Sequence, residues 1–158
     1  MNVAVLIIIA ITLAVVGVSL YLQHRKPKLK VVFPGDNTEL TYRIGEKVEE
    51  VPIYYKNMSR FTITGLDICV FVPPDFFPKK LEYPGGTTDE MAQKPPRGTY
   101  KNMKYLYTGE KFVLAPEEED VIKLYTVMPK KASDYPLIVH TMSKQGDAGT
   151  YKLKITVY

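Results

Sequence analysis

The chain has 158 residues, with 21 Lys and Arg against 17 Asp and Glu, for a net charge of +4. Four of those cations, Arg25, Lys26, Lys28 and Lys30, lie together near the N-terminus, and the other seventeen balance the acidic residues. The basic excess is therefore local and gives no reason to expect a nucleic-acid partner, while a single cysteine excludes an intrachain disulfide.

The opening run Val3–Leu22 is twenty uncharged residues, mostly Val, Ile, Leu and Ala. As a helix rising about 1.5 Å per residue it spans roughly 30 Å, the thickness of a bilayer's hydrocarbon core. Thr12 and Ser19 can bond back to their own backbone, and Tyr21 stands where an aromatic ring with a polar tip favours the headgroup boundary. A secretion signal instead has a basic start and a shorter apolar run of about 7–15 residues. Although Gly17-Val18-Ser19 would serve as a cleavage triplet, the run is read as a retained single-pass anchor over 1–24, followed by a basic juxtamembrane stem over 25–30. By the positive-inside rule these cations place the rest of the chain in the cytoplasm. A basic stem can equally sit against anionic headgroups on whichever side it emerges.

Residues 31–158 are long enough to bury a core of their own. Alternation and turn signals predict short strands. "LKVVF" begins the series; "VEEVPIYYKN" aligns Val51, Ile53 and Tyr55; "LDICVFV" is continuous enough for a central strand. "KYLYTGEKFVL" reads as two strands about the turn Thr108-Gly109-Glu110-Lys111. "DVIKLYTVM" and "YPLIVHTM" follow, Pro136 marking an edge or a strand beginning. "TYKLKITVY" alternates Tyr151, Leu153, Ile155 and Val157 with Lys152, Lys154 and Thr156. Seven or eight such strands with no helical repeat predict an all-β fold, an antiparallel Ig-like β-sandwich preceded by one transmembrane helix.

Residues 73–104, with six prolines and three glycines, are expected to form a long loop. Its aromatics Phe76, Phe77, Tyr83 and Tyr100 are candidates for partner contact, the alternative being that they fold back over the open end of the sandwich.

"VPIYYKNMSRFTITGLDICVFVPPDFFP" and "LAPEEEDVIKLYTVMPKKASDYPLIVHTM" resemble archaeal and bacterial cell-surface β-sandwich domains of the CARDB-like and related Ig-like kind. The resemblance is one of pattern over residues 29–158: a strand ending at an Asn turn, a Pro-containing loop, a Tyr-led strand. It implies a binding or spacer module, commonly outside the cytoplasm, and brings no catalytic residues with it. The extracytoplasmic side is the one it favours, against the charge rule.

The chemistry-bearing residues are sparse. His24, His140 and Cys69 are too scattered for an imidazole–thiolate metal site, and a copper site pairing His140 with Cys69 and a Met is disfavoured. Cys69, between Ile68 and Val70, is expected to be a small buried hydrophobe rather than a nucleophile. Neither Ser-x-x-Lys, Gly-x-Ser-x-Gly nor a Gly-rich phosphate loop is present. Glu117–Asp120 is read as a solvated acidic turn, and Asn57-Met58-Ser59 satisfies the glycan acceptor pattern within a predicted turn. The expectation is a non-catalytic membrane-anchored module, without cofactor, holding another membrane or surface protein at the bilayer. The alternative is an accessory subunit of an integral-membrane enzyme complex, such as a respiratory one, with Gly17 and Ser19 as the small residues that let helices approach closely.

Overall fold

The computed structural model describes residues 3–24, 26–88, 100, 102–108 and 112–158. Its one α-helix, α1 (Val3–His24), comes first, and Thr12 Oγ1 donates to Ile8 O at 2.9 Å, as a hydroxyl in an apolar helix should. This helix is long and apolar enough to cross a membrane, and none of its apolar span is buried against the rest of the chain.

Eleven strands follow among the described residues, more than the seven or eight expected. They are β1 (Leu29–Val32), β2 (Glu39–Tyr42), β3 (Val48–Asn57), β4 (Ile63–Val72), β5 (Phe77–Tyr83), β6 (Gly86–Thr88), β7 (Lys104–Tyr107), β8 (Phe112–Leu114), β9 (Glu119–Val127), β10 (Ser133–Ser143) and β11 (Gly146–Val157). One sheet runs β1-β3-β9-β5-β6, the other β2-β11-β10-β4 with β7 and β8 both on the free edge of β4. With β1-β3-β9-β5 opposite β11-β10-β4, this is the sheet arrangement of an Ig-like sandwich. All pairings are antiparallel except β2–β11, which is parallel.

Alternation places the core. Val51, Ile53 and Tyr55 of β3 and Ile122 and Leu124 of β9 meet Ile68, Val70 and Val72 of β4 and Leu137, Val139, Leu153 and Ile155 of the opposite sheet, all buried. Three strand prolines obey one rule. Pro52, Pro78 and Pro136 each lie where their strand has a single neighbour, because β1, β6 and β4 cover only the other half of β3, β5 and β10. A residue without an N–H is tolerated there and not in a fully flanked strand.

Three expectations are corrected by the strands. The stretch 73–104 is not one long loop: β5 and β6 occupy much of its first half, and β5 joins the first sheet beside β9. The strands in "KYLYTGEKFVL" do not form a hairpin with each other. Both run antiparallel along β4, as one edge strand broken in the middle, and residues 109–111 lie outside the described residues. Opposite β8, β4 carries a bulge at Gly65, whose φ of +59° and an added Cβ only 2.7 Å from Lys144 Cγ both demand glycine. Finally, β1 begins at Leu29, so the last part of the basic stem is already sandwich.

Candidate functional site

The sandwich has two ends, and β3 runs from one to the other. Leu29 is registered with Asn57, so the chain enters from α1 at the end that holds the β3–β4 turn. Val48, at the other end of β3, is registered with Val127, which is in turn registered with Phe77. Ten residues at about 3.3 Å each put this far row about 30 Å from the anchor side.

At the far end the turn Pro73–Asp75 is closed by Phe76 N–H donating to Pro73 O (3.1 Å), and the chain then enters β5. Successive residues point to opposite faces. Phe76 is fully buried and meets Tyr135 edge-on, ring centroids 5.3 Å apart, while Phe77 points outward and is 56% exposed. Lys104 fixes this pair: its ammonium donates to Phe76 O at 2.7 Å and lies 4.4 Å from the Phe77 ring centre. Beside Phe77 is a cavity of about 300 Å³ lined by Pro74, Asp75, Pro129, Lys130 and Lys131. Val48, Ile44 and Tyr158 are exposed apolar residues at the same end, and Arg43 Nε donates to Tyr158 Oη at 3.3 Å. Lys130 reaches Glu46 at 3.6 Å across the rim.

The four aromatics expected to act together are thereby separated. Phe76 belongs to the core, which corrects its reading as a contact residue. Tyr83 is buried at the anchor end, edge-on to Phe112 at 5.6 Å. Tyr100 lies on the outer face of the second sheet, where with Tyr105 it covers Phe71. Phe77 alone of the four is exposed. Ile44 and Val48 carried no signal in the sequence, because only long-range pairing brings them to this end, Val48 through the register of β3 with β9 and β5 and Ile44 through its N–H donating to Tyr158 O at 2.9 Å.

Asn57 is also corrected. Its side chain is fully buried: Nδ2 donates to Phe61 O and Leu114 O, each at 2.9 Å, and Oδ1 accepts from Ser59 N–H at 2.8 Å. A glycan cannot be attached to an amide so enclosed, so the Asn57-Met58-Ser59 triplet is a turn device.

Cys69 and His140 are register partners on the outer face of the second sheet. Burial, with the charge of Asp67 second, pushes the Cys69 thiol far above its ordinary range, the opposite of what a nucleophile or thiolate ligand requires. The His140 ring is held by Thr150, Nδ1 to Oγ1 2.9 Å, while its Nε2 is buried and has no hydrogen-bond partner among the described residues. The acidic turn lies at the surface, with partners close by for three of its carboxylates. Glu117 pairs with Lys56 at 2.8 Å, Glu118 Oε2 accepts from Ala115 N–H, and Asp120 Oδ1 accepts from Val121 N–H. Among the described residues no group of three or more His, Cys, Asp and Glu is placed to hold a metal ion.

At the anchor end, Arg25 lies outside the described residues. Lys26 and Lys28 are exposed, and Lys30, in β1, pairs with Asp36 at 2.7 Å. The backbone of Lys28 is bound on both sides: its N–H donates to Ser59 Oγ (2.7 Å) and its C=O accepts from Met58 N–H (2.8 Å).

No family model matches this chain, and no curated protein does. Solved structures do. The CARDB domain of the PF1109 protein from Pyrococcus furiosus, solved in complex with di-metal ions, is 14% identical over 84% of this chain and 90% of its own, with a TM-score of 0.46. A cohesin module from a Clostridium perfringens family 33 glycoside hydrolase is 11% identical over 84% and 96%, TM-score 0.47. AvmM, which catalyses macrocyclization in alchivemycin A biosynthesis, is 10% identical over 84% and 89%, TM-score 0.49. A CARDB domain, the kind the sequence resembles, is thus among the solved structures to which this chain is similar. At these identities the likeness concerns the fold alone.

Proposed function

We propose that this chain is a non-catalytic, single-pass membrane-anchored β-sandwich that holds a protein partner near the bilayer through the end remote from its anchor. The observation that carries this reading is Phe77, a large aromatic 56% exposed yet held in place by Lys104, at the rim of a cavity about 30 Å from the anchor side. A large exposed aromatic held in place beside a cavity is the kind of residue that dominates binding energy at protein interfaces. The mixed charges around it, Asp75, Glu46, Lys130 and Lys131, suit a polar rim. The Cys69 thiol, buried and held protonated by that burial, supports the non-catalytic reading.

A photoactivatable amino acid placed at position 77 of the full chain, in native membranes, tests the reading. One discrete protein adduct is expected, with none from the same group at Lys152 on the outer face of the second sheet. Equal labelling from both positions, or none from position 77, would overturn the partner-holding role.

A further inference from the structure

We infer that the β3–β4 turn and the stem residues Lys26 and Lys28 together form a binding site for the phosphate of an anionic phospholipid headgroup. This inference rests on the membrane-anchored reading above and adds to it a defined lipid contact. A cavity of about 450 Å³ opens at the anchor end between the stem and the turn, lined by Lys26, Lys28, Met58, Ser59, Arg60 and Phe61. Its three cations come from two segments that are distant in sequence and are joined by the paired hydrogen bonds between Lys28 and the turn at Met58 and Ser59. None of the three makes an ion pair among the described residues, whereas Lys30, Lys56, Lys80, Lys123, Lys130 and Lys154 all do. Among the described residues no acidic side chain lines the cavity.

Chain length sets how far this site can be from lipid. The apolar span ends at Tyr21, and α1 continues to His24, about 4.5 Å further on at 1.5 Å per residue. From His24 to Lys28 the chain can extend at most about 14 Å. The headgroup layer outside the hydrocarbon core is itself about 5–8 Å thick. Lys28, and with it the Met58–Arg60 turn, therefore stays within roughly a dozen ångströms of the phosphates, close to the 8–10 Å over which charge acts at physiological salt. Lys26 is nearer still. Met58 is 46% exposed between these cations, an apolar tip suited to the boundary between headgroups and acyl chains. Ser59, whose Oγ already accepts from Lys28, keeps the site's two halves in register.

The distinguishing residue is Arg60, because a stem that attracted lipid by its own charge would be indifferent to a turn more than thirty residues away. The test uses the full chain with Met58→Cys carrying an environment-sensitive fluorophore, Cys69 being buried from the reagent. The protein is placed in nanodiscs of pure phosphatidylcholine or of phosphatidylcholine with about one-third phosphatidylglycerol. The expected result is a blue-shifted emission in the anionic discs alone, lost with Arg60→Glu and kept with Arg60→Lys, at unchanged unfolding midpoints. The same emission in both discs, or indifference to Arg60→Glu, would overturn the site. A shift produced in detergent by inorganic phosphate alone would overturn the assignment to lipid in favour of a soluble anion. A chain that fails to co-elute with the discs would instead overturn the anchored reading, and this inference with it.

Discussion

Asn57 shows how one residue type can carry two readings that only burial separates. In the sequence it begins a glycan acceptor triplet; in the fold its amide joins three segments, the end of β3, the turn to β4 and the end of β8, through Ser59 N–H, Phe61 O and Leu114 O. Its own backbone adds two bonds to the acidic turn, accepting from Glu117 N–H and donating to Glu118 O. Removing the amide leaves two carbonyls and one N–H without their partner in a dry site, each worth about 1–3 kcal/mol with partial relaxation. Asn57→Ala is therefore expected to cost about 3–4 kcal/mol, measured as the change in urea unfolding midpoint at constant slope. A loss below about 1 kcal/mol would mean that water already satisfies the turn. Legibility at this scale follows burial. The apolar alternation of Tyr151, Leu153, Ile155 and Val157 and the inert setting of Cys69 were plain from neighbouring residue types. Phe76 and Phe77 could not be told apart, because adjacent aromatics exchange roles with a one-residue change in where a strand begins.

At the scale of elements, the stem and the first strand turn out to be one continuous piece. Leu29 is buried against Asn57's strand, Tyr151 Oη donates to Leu29 O at 2.9 Å, and Lys28 is bound on both sides by the Met58–Ser59 turn. A sandwich that starts at Val31 loses all of these. Burying a leucine side chain contributes about 2 kcal/mol, and each lost hydrogen bond about 1. A chain starting at Val31 should thus be about 3–5 kcal/mol less stable than one starting at Lys26, by chemical denaturation of the two. Equal stability would show that β1's first residues are ornamental and that the boundary belongs at 31. The boundary is hidden in the sequence because the cations that mark a stem include Lys30, whose residue already pairs with Lys56 of β3. The prolines hide β5 too. Pro78 argues against a strand in sequence, but its strand has a neighbour on one side only at that point, so the missing N–H costs nothing. The broken edge strand β7–β8 looks like a hairpin in sequence because a Thr-Gly between two apolar runs satisfies the local rule; that both runs pair with β4 is a long-range fact.

For the whole molecule the deciding quantity is the surface of α1. Twelve Val, Leu and Ile side chains between Val3 and Leu20 are exposed, and none of the apolar span packs on the sandwich. At about 2 kcal/mol for each aliphatic side chain left in water, this helix in aqueous surroundings would cost on the order of 20 kcal/mol, more than a domain of this size has to spare. Two fates remove that cost: residence in lipid or proteolytic removal. A cut after Ser19 would leave Leu20, Tyr21 and Leu22 as an apolar stub immediately before the sandwich, so removal relieves the problem incompletely, whereas lipid accommodates the whole span. The expected outcome is that the chain stays with membranes through an alkaline carbonate wash and shows an intact mass near 18.0 kDa. A species released by the wash and beginning at Leu20 would remove the anchor. It would also detach the headgroup site from its proximity to lipid, since the reach that holds Arg60 near the phosphates is measured from Tyr21. The far rim around Phe77 would survive that outcome, because its rigidity comes from Lys104, Tyr135 and the register of β5, all within the sandwich.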